Sequence, residues 1–340
     1  MRDQNREVRL VQRPGSLPGP ENFAIVQTPI PRPGPGEVLV RNLYFRLEAS
    51  LRMMISAGAE DVEGVPFPAI REGQVPGAET LGEVIEAAEG AGLAPGDLVL
   101  HHAGWREFAC LPASSCQKAP GELPESAAHL SHGWTAYAAL TRGAPVRPGG
   151  VVFVSSAAGA IGSMAGQIAR LLGAGRVIGS TSSRSKAQRL VQELGYDAGL
   201  AREAGPLGAQ LSAVAPDGVD LWLDMVGGEQ LGDAVACMRA RGVILVLGAL
   251  SGQLSPSGSG RSAPARIDSF PLLLKELSIR GYSADSHAEA RTEWTLCFDV
   301  WRRSGAIKFP HEIIEGIERA PAALGAVSRG EYFGTALVKL

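Results

Sequence analysis

A stretch in the middle of the chain combines residue types that could bind a diphosphate. Residues 151–162 read VVFVSSAAGAIG, which places Gly159, Ala160, Ile161 and Gly162 between an apolar run and a helical pattern. Glycine lets backbone N–H groups approach a phosphate, and the start of a helix adds unpaired donors and the positive end of a dipole. The pattern predicts a dinucleotide-binding turn, with a purely structural strand–helix turn as the alternative.

A second feature follows the next apolar run, where an NAD-binding chain usually carries an acid. That acid lies about 20 residues beyond the glycines and accepts hydrogen bonds from the ribose 2′-OH. Here the place holds Ser182 and Ser183, followed by Arg184 and Lys186. A carboxylate would repel a 2′-phosphate, whereas hydroxyls and cations bind one. The stretch favours NADP(H) as the cofactor, and an ordinary solvated helix start is the alternative.

A parallel sheet is needed to position these residues. From residue 123 onward, apolar runs such as GVVFVSS, RVIGST, VDLWLDMV and GVILVLGAL alternate with helical patterns. This alternation indicates βαβ units, and runs that are apolar throughout indicate strands covered on both faces. The segments SAAHLSHGWTAYAALTRG and EQLGDAVACMRA are predicted as helices, and LSIRGYSA as the last strand of the sheet.

The chain before residue 123 differs in composition. It is rich in glycine, proline and short β-like runs such as GEVLVRNLYF and TLGEVIEAA, which indicate a compact β-rich domain. A glycine-, serine- and proline-rich loop, residues 251–266, begins where a strand of the parallel sheet ends. Open α/β sheets bind ligands at that edge, so the loop is interpreted either as a lid or as a plain flexible loop.

Composition excludes several classes of protein. The 340-residue chain is 45% hydrophobic and 20% charged, with a formal net charge of −3, so neither nucleic acid nor an anionic membrane is expected as a partner. The polar N-terminus and the lack of a long apolar run predict a cytoplasmic protein without a membrane span. Its four cysteines are dispersed, which favours free thiols over a zinc site.

Four segments together resemble one protein family. They read PENFAIVQTPIPRPGPGEVLVRNLY, SSAAGAIGSMAGQIARLLGA, KAQRLVQELGYDAG and VGGEQL. They are similar to the zinc-independent medium-chain dehydrogenase/reductase superfamily, in its branch of prostaglandin, alkenal double-bond and curcumin reductases. The resemblance implies an α/β fold with a Rossmann NADP-binding domain, residues 123–302, inserted into a GroES-like substrate domain, residues 1–122 plus 303–340.

The activity implied by the resemblance is the NADPH-dependent reduction of the C=C bond of an α,β-unsaturated carbonyl. In this reaction a hydride goes to the β-carbon and a proton to the α-carbon. The substrate is then a small-molecule enone, with a bulky secondary metabolite such as a polyketide as one candidate. A quinone oxidoreductase and an NADP-binding protein without turnover are the alternatives. A homodimer that pairs the last strands of two Rossmann sheets is also implied.

The resemblance further implies positions for the cofactor. Lys186 matches the lysine that meets the 2′-phosphate, and Arg202 falls where relatives often have a tyrosine near the adenosine. Beside the nicotinamide lie Gly248, Ala249 and Leu250, with the segment of Tyr282 as the opposite wall. Tyr332 occupies the place of an asparagine in the tail, and Ala78 stands where zinc-containing relatives have a histidine ligand, so no metal is expected.

Several residues at the expected substrate site differ from those that the family carries there. The position of the active-site tyrosine is Ser50, two residues after Glu48, and the place of a second tyrosine is taken by Leu254. Tyr282, Ser50 and His132 are the candidate catalytic residues, because a phenol, a hydroxyl or an imidazole can protonate or polarise an enolate. For Tyr282 and His132 a packing role is the alternative.

Overall fold

The computed structural model describes residues 4–59, 68–121, 123–256 and 260–340. Its first sheet-rich unit begins with seven strands, most of which bury part of their side chains. They are β1 (Gln4–Leu10), β2 (Phe23–Pro29), β3 (Glu37–Arg46), β4 (Thr80–Ala87), β5 (Leu98–His101), β6 (Phe108–Pro112) and β7 (Gln117–Lys118), with a short helix α1 (Leu51–Ile55) after β3.

The Rossmann unit follows with six strands that are all parallel to their neighbours. The strands are β8 (Val151–Val154), β9 (Arg176–Thr181), β10 (Ala198–Ala201), β11 (Val219–Asp224), β12 (Met238–Val246) and β13 (Ser278–Gly281). The helices are α2 (Gly133–Ala138), α3 (Gly162–Leu171), α4 (Arg184–Leu194), α5 (Leu207–Val214), α6 (Gln230–Cys237), α7 (Leu250–Gln253), α8 (Ser269–Leu274) and α9 (Glu289–Arg303). Strand β8 is buried along its whole length, as expected for a strand covered on both faces.

The C-terminal tail returns to the first unit. It contributes β14 (His311–Glu315), α10 (Ala320–Ser328) and β15 (Thr335–Lys339). Strand β15 pairs antiparallel with β3, with Leu337 opposite Arg46, and the sheet order is β14-β15-β3-β4-β5-β7, with β6 also on β3. The two ends of the chain therefore share one sheet, and the predicted α/β fold with an inserted Rossmann unit is confirmed.

The order of the parallel strands locates a ligand crevice. The six strands lie in the order β10-β9-β8-β11-β12-β13. From β8 the chain runs outward to β10 at one edge, then crosses back to β11 beside β8 and runs outward to β13 at the other edge. Open α/β sheets bind ligands beyond the carboxyl ends of the strands, where the order reverses. The glycine turn predicted to hold the diphosphate follows β8, directly at this switch point.

Two predicted helices differ in the structure. The helix predicted for EQLGDAVACMRA ends at Cys237, and Met238 enters β12 because it pairs with Val219 of β11. The helix predicted for residues 126–143 is interrupted near Ser131, whose hydroxyl oxygen accepts the Gly133 N–H at 3.1 Å and begins α2 anew. A tertiary pairing and a local hydrogen bond from the backbone to a side chain thus outweigh helical periodicity.

Candidate active site

The glycine turn is packed so closely that one of its positions excludes a side chain. A Cβ atom at Gly162 would lie 2.3 Å from the Ser156 carbonyl oxygen and 2.6 Å from the Ala157 Cα. At Gly159 the nearest atom would be the Ser156 Oγ, at 3.2 Å. Gly162 therefore allows the start of α3 to lie against the turn after β8. This is the close backbone approach that a diphosphate-binding turn requires.

The tail of the chain closes one side of this turn. The Gly334 N–H donates to the Ala158 carbonyl at 2.8 Å, and Gly159 forms an isolated parallel bridge with Gly334. A Cβ atom at Gly334, where φ is +86°, would lie 2.1 Å from the Pro310 carbonyl oxygen. The sheet formed by both chain ends thus contacts the predicted diphosphate turn directly through backbone atoms.

The residues predicted to meet a 2′-phosphate surround the start of α4. The Ser183 side chain caps this helix and accepts the Lys186 N–H at 3.4 Å. The Lys186 ammonium donates to the Tyr332 carbonyl at 2.8 Å and also to the Gly330 carbonyl. Burial lowers the pKa of Lys186. The structure therefore brings together Ser183, Lys186 and the backbone of Tyr332, with Arg184 exposed beside them.

One residue at this place was not anticipated from the sequence. Glu203 follows β10, and its carboxylate oxygen Oε1 accepts the Arg184 N–H at 2.6 Å. Arg202, predicted to lie near the adenosine, precedes it in an exposed turn. The signal that could have found Glu203 is the strand order, because β10 lies beside β9 and their following residues share one edge.

The residues predicted to lie beside the nicotinamide follow the ends of β11 and β12. Buried Asp224 accepts hydrogen bonds from the Ser155 hydroxyl at 2.8 Å and from the Gly227 N–H at 2.9 Å. Its desolvation raises the pKa of this carboxyl group. A Cβ atom at Gly248 would lie 2.9 Å from the Met225 carbonyl oxygen, and the Leu250 N–H donates to that oxygen at 3.1 Å. Residues 248–250 are therefore held close to the backbone after β11.

Helix α1 and the loop of residues 251–266 form contacts between the two units. The Arg52 guanidinium donates to the Gln253 carbonyl at 2.6 Å and to the Ser255 carbonyl. From the loop side, Arg261 donates to the Met53 carbonyl at 2.8 Å. The described parts of this loop are thus bonded to the first unit, next to the residues predicted to line the substrate cleft.

Glu48 is the centre of a polar cluster between β3 and α2. Its carboxylate accepts two hydrogen bonds from the Arg46 guanidinium, at 2.6 and 2.8 Å, and one from the Ser50 hydroxyl at 3.1 Å. The His132 Nε2 lies 3.5 Å from the same carboxylate. Arg46 also donates to the Leu130 carbonyl at 2.9 Å. Two of the predicted catalytic residues, Ser50 and His132, therefore meet at one acid.

The electrostatics of this cluster define its protonation. Burial of Glu48 opposes ionisation, but the charge of Arg46 and a hydrogen bond from His132 overcome it and hold the pKa of Glu48 well below its usual range. Burial and the Arg46 charge lower the pKa of His132, which is therefore neutral near pH 7. The buried His132 Nδ1 has no hydrogen-bond partner within the described ranges of the chain. This nitrogen is an open position for a substrate or a water molecule.

The third predicted catalytic residue, Tyr282, lies apart from this cluster. Its hydroxyl donates to the Ala138 carbonyl at 3.1 Å and lies 3.1 Å from His287 Nδ1. Ala138 ends α2, whereas His132 precedes its first residue, so about 9 Å of helix separates their backbones. The structure thus groups Ser50 with His132 but places Tyr282 at the opposite end of the helix.

Among the described residues, no group of three or more His, Cys, Asp or Glu side chains could hold a metal ion. The four cysteines are free. In the same parts of the chain, no helix is both long and apolar enough to cross a membrane.

Comparison with known proteins now adds to this geometry. A family model for the N-terminal domain of oxidoreductases matches residues 6–119, and one for zinc-binding dehydrogenases matches residues 160–299. Prostaglandin reductase 1 of Bos taurus is 30% identical over 95% of this chain and 95% of its own length. The chain belongs to the zinc-independent medium-chain dehydrogenase/reductase family. The NADPH-dependent curcumin reductase of Escherichia coli is 27% identical over the whole chain and 98% of the relative.

Solved structures of this dehydrogenase/reductase family agree with the fold. CurA from Vibrio vulnificus superposes with a TM-score of 0.86 at 28% identity, and the match covers 98% of each chain. The same protein has been solved in complex with NADPH. A quinone oxidoreductase of Escherichia coli, also solved with NADPH, has a TM-score of 0.77 at 20% identity and shows the shared fold alone.

Proposed function

We propose that this enzyme is an NADP-dependent oxidoreductase that reduces the C=C bond of an α,β-unsaturated carbonyl compound. The observation that carries the proposal is the convergence of Lys186, Ser183 and the tail carbonyls at the start of α4, across from the glycine turn. The prostaglandin and curcumin reductases named above support the reaction class. A cytoplasmic location is part of the same proposal.

The described residues fit NADP(H). The glycine turn at the start of α3 would hold the diphosphate, and Lys186 and Ser183 would hold the 2′-phosphate, with Arg184 exposed nearby. Residues 248–250 would line the nicotinamide ring. When bound, NADPH supplies the hydride that reduces the β-carbon of the substrate.

Ser50 and His132 are proposed to act on the other end of the enone. Charge that develops on the carbonyl oxygen needs a hydrogen-bond donor placed in advance. The Ser50 hydroxyl, which donates to Glu48 at 3.1 Å, can turn to that oxygen. Neutral His132, held by Glu48 through Nε2, can accept a hydrogen bond at its unpaired Nδ1 from a water molecule that protonates the α-carbon, and the hydroxide left behind takes up a proton from solvent. Tyr282 is satisfied elsewhere, so its phenol is the weaker candidate.

We further propose that the cleft accepts bulky substrates. Ser50 and Leu254 stand where related enzymes carry tyrosines, and α7, which precedes Leu254, is bonded to α1 through Arg52. Smaller side chains in place of two phenol rings would leave more room beside the proposed nicotinamide site. A conjugated carbonyl compound with a large apolar substituent, such as a polyketide, is therefore the preferred substrate class.

A panel of electron acceptors tests the proposed function. The purified enzyme is mixed with NADPH and, in separate assays, with short alkenals, bulky enones and quinones, and loss of absorbance of the reduced cofactor is followed. Bulky enones are expected to be turned over fastest, with the product saturated at the C=C bond and the rate unaffected by a strong chelator. Turnover of quinones alone would favour a quinone reductase, and no turnover with any acceptor would refute the proposal.

A homodimer is proposed from the edge of the parallel sheet. Strand β13 pairs only with β12 within the described chain, and α8 next to it exposes Phe270, Leu273 and Leu274 at 66%, 72% and 66%. An open strand edge beside an apolar helix favours a partner, and a second copy pairing β13 with β13 would cover both.

Light scattering is expected to give about twice the chain mass of 35.5 kDa. The double substitution Leu273→Asp with Leu274→Asp should yield monomers, because it places charge at the centre of the proposed contact. Ile25→Asp, which changes an apolar residue on β2 that is 44% exposed, is the matched control and should leave the mass unchanged. A wild-type protein that is monomeric at micromolar concentration would contradict this proposal.

A further inference from the structure

We propose that Glu203 contributes to cofactor specificity at the adenosine ribose. Its carboxylate reduces the ratio by which the enzyme binds NADPH more tightly than NADH. The inference rests on the proposed NADP(H) site and adds to it an acid that the segment after β9 lacks. It concerns the relative affinity of two cofactors, so it can fail while the proposed reaction stands.

The topology of the sheet brings Glu203 to this position. Strands β9 and β10 are parallel neighbours, with Ala201 opposite Thr181 at their carboxyl ends. The residues that follow each strand therefore emerge side by side. The Glu203 N–H donates to the Ser182 carbonyl at 3.4 Å, which fixes the turn after β10 against the serine-rich segment after β9. In an NAD-binding chain the acid follows the second strand of the Rossmann unit, which is β9 here. In this chain an acid that follows the third strand, β10, occupies that region.

The side chain of Glu203 binds the same helix end that a 2′-phosphate would use. Its Oε1 accepts the Arg184 N–H at 2.6 Å. The Lys186 N–H, in the same first turn of α4, donates to the Ser183 hydroxyl oxygen. Carboxylates and phosphates favour the same unpaired N–H groups at the start of a helix. A bound 2′-phosphate must therefore displace the Glu203 carboxylate from this contact or remain beside a like charge.

The two cofactors respond to this acid in opposite ways. The 2′-phosphate of NADPH is attracted by Lys186 and repelled by Glu203, so part of its favourable charge interaction is lost. The 2′-OH of NADH can donate a hydrogen bond to the Glu203 carboxylate, as it does to the acid of an NAD site. Glu203 is solvent-exposed, so the effect is moderate and decreases with salt.

The test measures dissociation constants for NADPH and NADH by fluorescence titration, using the full-length wild type, Glu203→Gln, Glu203→Ala and Glu86→Gln. Glu203→Gln keeps an oxygen that can accept the Arg184 N–H but removes the charge. We expect it to tighten NADPH binding about fivefold and to change NADH binding by less than about twofold. Glu203→Ala should tighten NADPH binding to a similar extent. It should weaken NADH binding about threefold, because the acceptor for the 2′-OH is gone.

Glu86→Gln is the matched control, since it removes an exposed charge from β4, which lies in the other sheet. It should leave both constants unchanged. The inference is overturned if Glu203→Gln leaves NADPH affinity unchanged or lowers it, or if the control has the same effect. Failure of the wild type to bind either cofactor would instead refute the proposed function. The NADPH gain should shrink as salt is raised from about 50 to 500 mM, and a gain that does not depend on salt would contradict a charge effect.

Discussion

Replacing Lys186 by methionine is expected to weaken NADPH binding by about 10- to 100-fold while NADH binding changes little. The ammonium group is held at the start of α4 by the Tyr332 and Gly330 carbonyls, and it is partly buried. A charge-assisted hydrogen bond from this ammonium group to the 2′-phosphate would contribute about 1.5–3 kcal/mol, and every 1.4 kcal/mol is tenfold in affinity. NADH has no 2′-phosphate, so it has no such contact to lose.

Fluorescence titration of both cofactors measures this effect directly. Lys118→Met is the matched control, because Lys118 is an exposed lysine on β7 that pairs with Asp97. The double variant with Arg184→Ala should lose further NADPH affinity. Since methionine keeps most of the alkyl stem of Lys186, a thermal melt should show a folded protein. Equal loss of NADPH and NADH affinity would mean that Lys186 only holds the tail in place and does not read the 2′-phosphate.

Replacing Glu48 by glutamine is expected to lower the free energy of unfolding by about 2 kcal/mol at pH 7. The substitution leaves the Arg46 guanidinium, which is only 7% exposed, without its counter-charge. Breaking a buried ion pair from one side costs about 3–5 kcal/mol, and the partial exposure of Glu48 reduces that figure. Urea denaturation of both proteins checks it. Glu83→Gln, which breaks the exposed pair with Arg41, should cost less than about 1 kcal/mol.

The effect of Glu48 should also depend on pH. Its pKa in the folded protein lies well below that of the unfolded chain, so its stabilising contribution is fully present above about pH 4.5. The contribution is lost as the pH falls from there through the folded pKa. Because His132 contacts Glu48 and titrates above this range, the test of Glu48 itself is the window below about pH 4.5, where the difference in stability between wild type and Glu48→Gln should shrink. A difference that stays unchanged or grows below about pH 4.5 would show that the carboxylate is not stabilised as described.

The local patterns predicted most strands and helices and the place of the glycine turn between them, because one short segment determines each of these features. The glycines of residues 159–162 lie between a buried strand and α3, as their spacing indicates. Lys186 lies in the first turn of α4 for the same reason. Such features depend on backbone geometry within about 15 residues, and periodicity reports that geometry directly.

The parts that sequence reasoning missed depend on contacts between distant segments. Glu203 meets Arg184 only because β10 lies beside β9, and His132 meets Glu48 only because α2 begins next to the end of β3. Met238 leaves its predicted helix to pair with Val219. No local pattern contains this information, because each contact is set by the packing of whole elements.

The pairing of β15 with β3 has a consequence for how the protein matures on the ribosome. Strand β3 is synthesised early. Strand β15, which pairs with it at Tyr44, Phe45 and Arg46, is synthesised only at the end of the chain. During synthesis the Rossmann segment can become compact first, while the N-terminal sheet waits with an open edge on β3. That edge is a template for pairing with other nascent chains. Premature termination shortly before β15 should therefore yield chains that aggregate and recruit chaperones, even though every strand of the nucleotide-binding sheet has already been made.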